Sequence, residues 1–234
     1  MILRNLGLLA NDPNQFLLIV VTSLSALILA ITVHEFSHAA VAFSFGDRTA
    51  KRLGRLSLNP LVHLDPLGGA MLLLIGFGWG KPVPVNEWIL TRHGLRAFSL
   101  VAFAGPLSNF ITALFLAIPF QLELLNWPFV GGGGVEESLI GELTASVIGI
   151  FIFYNLLLGV FNMLPVAPLD GSKAILGVLP KGIAERYRSL DAWGPGILLT
   201  MIMFDWLLDV QILIKLIGPP VNLLSRIVAG HSMF

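Results

Sequence analysis

Residues 16–43 read FLLIVVTSLSALILAITVHEFSHAAVAF, and this stretch decides the fold class. Its first 18 residues, Phe16 to Val33, contain no charged side chain. A helix rises 1.5 Å per residue, so about 20 apolar residues cross the hydrocarbon core of a bilayer. His34, Glu35 and His38 follow, and apolar residues then resume. The stretch therefore predicts a retained transmembrane helix that carries ionisable groups within its apolar length.

The composition of the whole chain also indicates a membrane protein. Of the 234 residues, 56% are hydrophobic and 12% are charged, and the mean hydropathy is +0.85. Soluble domains carry about 25% charged residues, and a chain this apolar cannot hide its excess in one core. The formal net charge is zero, which gives no reason to expect a nucleic acid partner. The absence of cysteine excludes disulfides, thiolate metal ligands and a cysteine nucleophile.

Four other apolar runs follow the first. Three are long enough to cross a bilayer: Ala97–Pro119, Leu143–Leu169 and Gly194–Gly218, the last interrupted by Asp205, Asp209 and Lys215. Pro66–Gly80 has only 15 residues, five of them glycine, and we expect a re-entrant or interfacial hairpin there, although a span stays open. The prediction is an all-α polytopic membrane protein with about four transmembrane helices and one re-entrant hairpin, forming a single domain over residues 1–234.

The basic residues predict the orientation. Eleven of the 14 lysines and arginines lie in three connections: Arg48, Lys51, Arg52 and Arg55; Lys81, Arg92 and Arg96; and Lys173, Lys181, Arg186 and Arg188. The segment from Phe120 to Glu142 has no lysine or arginine and contains four glutamates and the flexible run Gly131–Gly134. By the positive-inside rule the basic connections are cytoplasmic, while the acidic segment, the N-terminus and the tail from Pro219 lie outside. We expect a multi-pass protein of the cell membrane; its oligomeric state stays open.

The pentapeptide HEFSH, His34 to His38, matches the H-E-x-x-H pattern of zinc-binding helices. Spacing i and i+4 places both imidazoles on one face about 6 Å apart, close enough to share an ion. Glu35 is rotated by about 100° from His34, so it can flank the ion and take a proton from metal-bound water. The competing interpretation is a helix end with polar side chains reaching water. Apolar helix continues to Phe43, which favours a functional site in lipid.

A hydrolytic zinc site usually has three protein ligands, so a third must come from elsewhere. The remaining histidines lie in predicted connections or the tail: His63, His93 and His231. Asp170 follows 27 uncharged residues, and Pro165 and Pro168 break the helix just before it. A simple helix-end aspartate at the cytoplasmic surface is the alternative, and the residues alone leave this choice open.

Two segments together resemble a known family. HEFSH at residues 34–38 and NMLPVAPLDG at residues 162–171 are similar, in order and in full, to the two signatures of the site-2 protease family, H-E-x-x-H and N-x-x-P-x-x-P-L-D-G. GPLSN at residues 105–109 resembles a third element of that family. The resemblance covers most of the chain, from about Thr22 to Lys173.

The resemblance implies an intramembrane zinc metalloprotease that cuts transmembrane segments of other membrane proteins. It implies one Zn²⁺ per chain, His34, His38 and Asp170 as ligands, and Glu35 as general base. The catalytic core would be a three-helix unit over approximately residues 16–173, with the active site toward the cytoplasmic side. Many relatives also have a PDZ or CBS domain; the chain is expected to be a minimal form without either.

Small and polar residues form a stripe on the predicted middle span, at Gly105, Ser108, Asn109 and Thr112. Helix packing accounts for most of this stripe. Asn109 is also a candidate donor to the oxyanion that develops during hydrolysis. A similar stripe on the next span holds Asn155, Gly159 and Asn162. Asn162 would either support a metal ligand or hold the unwound backbone near Pro165.

The segment Lys81–Val85, KPVPV, is predicted to be extended because each proline biases its predecessor away from helix. It is either a plain cytoplasmic loop or an edge to which a substrate strand could add.

Other function classes fit the sequence less well. A metal-binding transporter or a catalytically silent binding protein would use the same ligands but has no need of Glu35. Asp205 and Asp209 lie one helical turn apart, as the two carboxylates of an aspartyl intramembrane protease could, but the G-x-G-D signature of that class is absent. No G-x-S-x-G motif indicates a serine protease.

Overall fold

The computed structural model describes residues 6–75, 78–129, 138–208 and 211–234. Within these ranges the chain is helical, and its only β-structure is an isolated antiparallel bridge between Leu64 and Gly80. The helices are α1 (Leu6–Asn11), α2 (Pro13–Ser44), α3 (Thr49–Arg52), α4 (Pro66–Ile75), α5 (Glu87–Thr91), α6 (Leu95–Leu116), α7 (Ile118–Gln121), α8 (Leu139–Asn162), α9 (Asp170–Leu176), α10 (Lys181–Arg188), α11 (Gly194–Leu208) and α12 (Ile212–Ala229).

Four of these helices are long and apolar enough to cross a bilayer: α2, α6, α8 and α12. The all-α prediction with about four transmembrane helices is therefore confirmed. The longest is α2, whose 32 residues extend over about 48 Å. It begins after Asp12, whose carboxylate accepts a hydrogen bond from Gln15 N at 3.0 Å, and Pro13 occupies its first position.

A three-helix core forms where α2, α6 and α8 pack against one another, as predicted. Small residues make this approach close. Ala26 and Ala30 of α2 are fully or almost fully buried. Gly159 of α8 lies against the ring of Phe110 on α6, where a Cβ would come within 2.4 Å of Cε1. Helix association in lipid depends on close packing of this kind because lipid tails are as apolar as leucine.

The segment Pro66–Gly80 returns to its starting point, as a re-entrant hairpin requires. Helix α4 covers its first ten residues, and Asp65 accepts a hydrogen bond from Gly68 N at 2.7 Å. At the far end, Gly80 bridges to Leu64, and Lys81 N donates to His63 O at 2.8 Å. Residues 76–77 of the hairpin lie outside the described ranges.

The prediction of one span over Gly194–Gly218 is wrong, because the run divides into two helices. The carboxylate of Asp205 accepts hydrogen bonds from Ile212 N and Leu213 N, and so satisfies the free amides at the start of α12. Helix α12 then continues through Pro219 and Pro220, so it, rather than Gly194–Gly218, is the fourth candidate span, and no tail begins at Pro219. Asp209 and the predicted Gly131–Gly134 linker lie outside the described residues.

Candidate metal centre

The three predicted metal ligands converge in the structure. His34 and His38 project from α2, with ring centroids 4.7 Å apart, and Asp170 is the first residue of α9. Oδ2 of Asp170 lies 2.9 Å from His34 Nε2 and 3.1 Å from His38 Nε2. One potential ligand atom from each residue lies within 4.8 Å of the others. Both imidazoles are buried, and the side chain of Asp170 is 15% exposed.

The chain between α8 and α9 brings Asp170 to the histidines. Helix α8 ends at Asn162, and the backbone then turns through two prolines, as their positions predicted. Gly171 closes the turn, since a Cβ there would lie 2.3 Å from Met163 O. From α10, the hydroxyl of Tyr187 donates to Pro165 O at 2.6 Å and satisfies a carbonyl of the turn that follows α8.

Partners behind the two histidines determine which ring nitrogen carries the hydrogen. His38 Nδ1 lies 2.7 Å from the carbonyl oxygen of Val101, which can only accept, so Nδ1 carries the hydrogen. His34 Nδ1 lies 2.7 Å from Asn109 Oδ1 in the same arrangement. Both Nε2 atoms then present lone pairs toward the Asp170 carboxylate. Three electron-rich atoms facing one another fit a bound cation, and hydrogen bonds to the far ring nitrogen orient histidine ligands.

A glycine leaves room for such an ion. A Cβ at Gly105 of α6 would lie 2.4 Å from His38 Nε2 and 2.6 Å from His34 Nε2. Real Cβ atoms do not approach neighbouring atoms this closely. Gly105, which the sequence placed in a packing stripe and in the GPLSN segment but not at the metal, therefore leaves space next to the two nitrogen ligand atoms.

Asn109 lies behind His34 and is completely buried. Its amide nitrogen donates to Ala30 O and to Asn155 Oδ1, both at 3.0 Å, which turns Oδ1 toward His34. Both amide hydrogens are used within the helix bundle, so Asn109 has no free donor for the predicted oxyanion. Asn155 in turn donates to Phe151 O at 2.9 Å, which completes a hydrogen-bonded chain from α8 through α6 to the metal centre.

The other candidate residues lie elsewhere. Asn162 donates to Leu158 O in its own helix at 3.0 Å. His63 is fully buried with Nε2 2.7 Å from Ser57 O, His93 is next to Phe45, and His231 stacks on Trp127. The structure thus brings together His34, His38 and Asp170 and leaves the remaining histidines outside this group.

Glu35 is half-buried beside the metal centre and is not one of its three converging residues. Its Oε2 accepts a hydrogen bond from the backbone N–H of Val83 at 2.8 Å. The sequence predicted Glu35 but missed this partner, for which the only signal was the unusual Pro-Val-Pro spacing. The bond also bears on strand addition to this segment: Lys81 N and Val83 N are both used, and Pro82 and Pro84 have no N–H. Of the backbone N–H groups in Lys81–Val85, only that of Val85 makes no hydrogen bond within the described residues and could bind a substrate strand.

Comparisons with known proteins also indicate a zinc metalloprotease. The chain is 40% identical over 169 residues to YwhC of Bacillus subtilis, named as a zinc metalloprotease, covering 72% of this chain and 74% of YwhC. It is 27% identical over 192 residues to Rip2 of Mycolicibacterium smegmatis, also named as a zinc metalloprotease, covering 78% and 66%. It is 28% identical over 183 residues to the stage IV sporulation protein FB of Bacillus subtilis, covering 77% and 45%.

No protein-family model matches the chain, and no solved structure matches it. The family is nevertheless decided by the extent of the similarity to YwhC and by the family that these relatives share. The four apolar helices show that the chain is a membrane protein. The chain is a multi-pass membrane protein that belongs to the site-2 protease family of zinc metalloproteases.

Proposed function

We propose that the chain is an intramembrane endopeptidase that hydrolyses peptide bonds within or near transmembrane segments of other membrane proteins. One zinc ion per chain would be held by Nε2 of His34, Nε2 of His38 and the carboxylate of Asp170. The convergence of these three groups inside a bundle of apolar helices carries the proposal. Three protein ligands leave one position of a tetrahedral ion for water or substrate, as hydrolytic zinc sites require.

Each residue of the site then has a separate task. When bound, zinc polarises the scissile carbonyl and lowers the pKa of a coordinated water. Glu35 accepts the proton of the attacking water and passes it to the leaving amide nitrogen. His34 and His38 are kept in the Nε2-ligating tautomer by Asn109 and by the carbonyl of Val101. We therefore propose Asn109 as a positioning residue for His34 in place of an oxyanion donor.

The depth of the site indicates how a substrate reaches it. His34 lies about 32 Å along α2 from Pro13, in the second half of a helix of about 48 Å. With the N-terminus outside, as the basic connections favour, the site lies in the cytoplasmic half of the cell membrane. A substrate helix would have to unwind locally before cleavage because a helix encloses its own carbonyl groups. Residues 1–234 would form one domain, with the catalytic core over approximately residues 16–173.

The test is cleavage of a transmembrane test peptide by the purified protein, with and without a zinc chelator and with zinc restored. We expect one zinc per chain and chelator-sensitive cleavage, and both should be lost in His34→Ala, His38→Ala and Asp170→Ala. Glu35→Gln should keep its zinc and lose roughly 10²–10⁴-fold in rate, since an amide cannot accept the proton. Zinc binding without cleavage by the wild type would instead favour a transporter or a silent binding protein.

A further inference from the structure

The segment Lys81–Asn86, which we call the strap, is extended chain held at three points. The bonds are Lys81 N to His63 O at 2.8 Å, Val83 N to Glu35 Oε2 at 2.8 Å, and Asn86 N to Asp47 Oδ2 at 2.6 Å. The outer two attach the strap to the protein. The middle one goes to the residue proposed as general base.

The two outer attachments are made to buried residues, Asp47 and His63. Asp47 is 1% exposed and accepts a second hydrogen bond from Thr49 N at 2.9 Å. Burial alone would raise the pKa of Asp47, but the hydrogen bonds from Asn86 and Thr49 hold that pKa below its usual range, so the carboxylate stays charged as an acceptor. His63 is 0% exposed. Next to it, Gly80 packs so closely on Ile31 of α2 that a Cβ would come within 2.9 Å of it.

Val83 carries the only backbone N–H of the strap between Lys81 and Val85. Pro82 and Pro84 have no amide hydrogen, and their rings fix φ near −65°. Each proline also restricts the residue before it to extended conformations. The Val83 N–H therefore stands alone between the attachment at Lys81 and the next amide at Val85, and a small slip of the strap cannot exchange it for a neighbouring donor.

We propose that the Val83 N–H positions the general base. By binding Oε2, it fixes the rotamer of Glu35 and leaves Oε1 to accept the proton of the attacking water. A glutamate has three side-chain torsions and loses much rotamer freedom when it is held in one geometry. A misplacement of about 1 Å in a catalytic group can cost about 10²-fold in rate. This inference rests on the proposed function, in which Glu35 is the base.

The bond itself can be tested without any activity measurement, by hydrogen–deuterium exchange of the strap. Since Pro82 and Pro84 contribute no amide hydrogen, the Val83 signal can be resolved from those of Lys81 and Val85. Val83 should be protected in the wild type and in Glu35→Gln, whose amide oxygen can still accept. It should exchange faster in Glu35→Ala, while Lys81 and Asn86 stay protected by their own acceptors. Unchanged protection of Val83 in Glu35→Ala would overturn the inference.

The catalytic consequence is tested with Val83→Pro, which removes the N–H and suits an extended chain between two prolines. We expect kcat to fall by roughly 10–10²-fold, with KM and zinc content unchanged. Val85→Pro is the matched control, because its N–H makes no hydrogen bond within the described residues, and its kcat should stay within a few-fold of wild type.

The outcomes separate this inference from the proposed function. Wild-type protein that cleaves no test substrate contradicts the proposed function, and the exchange experiment still decides whether Val83 holds Glu35. If the wild type cleaves and zinc-loaded Val83→Pro keeps wild-type kcat, the positioning role is refuted. Loss of zinc in Val83→Pro would also refute it, because the strap would then support the metal ligands instead of the base.

Discussion

Replacing Gly105 by alanine is the smallest change that should empty the metal centre. The new Cβ would lie 2.4 Å from His38 Nε2 and 2.6 Å from His34 Nε2, which is 1.0 Å and 0.8 Å short of the 3.4 Å at which ordinary contact begins. Neither ring can easily retreat, since each Nδ1 is bound behind it. Metal–ligand distances tolerate a change of only about 0.2 Å. The methyl group should therefore prevent zinc from binding.

The helix propensity of alanine should stabilise α6, so a loss of zinc in Gly105→Ala would report on the metal centre itself. Gly105 lies inside α6, where alanine is favoured over glycine by about 1 kcal/mol. A loss of zinc in Gly105→Ala cannot then be ascribed to a weaker helix. Gly149→Ala of α8 is the matched control: its Cβ would meet Pro128 Cγ at 2.5 Å, so the clash is similarly severe but lies against an apolar side chain outside the three core helices.

The assay is zinc content per chain after purification, combined with thermal unfolding. Gly149→Ala should lower the melting temperature and keep stoichiometric zinc. Gly105→Ala should lose zinc and, with it, any chelator-sensitive cleavage. Stoichiometric zinc in Gly105→Ala would show that the ion is not bound between the two imidazoles as the ligand geometry requires.

Three further predictions follow from other parts of the chain. Asp205→Ala removes the acceptor for the first amides of α12, so we expect a loss of about 1 kcal/mol in unfolding free energy. Denaturant unfolding in detergent measures this loss, and an unchanged value would show that Asp205 does not cap α12. The difference in melting temperature between wild type and Asp47→Ala should be constant above about pH 5 and shrink as the pH falls below about 4. The reason is that a carboxylate whose pKa is lowered by folding stabilises only while it is ionised in the folded protein. A difference that grew as the pH fell would contradict this. Cysteines placed at Asp65 and Lys81 should both be labelled from the cytoplasmic side, whereas labelling from opposite sides would make Pro66–Gly80 a span.

Most of the fold could be predicted because lipid imposes simple rules on sequence. The apolar lengths of α2, α6 and α8 identified three spans, and the short glycine-rich run identified the hairpin. The fourth span was misplaced because Pro219 and Pro220 normally indicate the end of a helix, whereas α12 contains both. The actual break is marked by Asp205, which reaches forward to amides seven and eight residues later. Sequence spacing does not reveal such a contact.

Some residues of the metal centre could likewise be predicted from the sequence, and others could not. His34 and His38 follow from spacing within one helix. Asp170 lies 132 residues beyond His38, and its neighbours made it a candidate but left its role open, so the choice rested on the family signature. The sequence identified Asn109 as a candidate but predicted it to donate to the oxyanion. Its hydrogen-bond partners could not be predicted, because they depend on how α6 and α8 face each other. Gly105 could not be assigned to the site, since a glycine contributes there by the atoms it lacks.

The hydrogen-bonded chain from Asn155 through Asn109 to His34 has a consequence for both fold and chemistry. In lipid a buried amide needs a partner for each polar atom, because no water is present to replace it. Asn109 meets this need by binding α2 at Ala30 O, α8 at Asn155 and the imidazole at once. The same side chain therefore joins the three core helices and determines the tautomer of a metal ligand. Correct packing of the bundle and readiness of the metal centre are for this reason one structural event, and a helix displaced by an ångström would leave both an unpaired amide and a misdirected histidine.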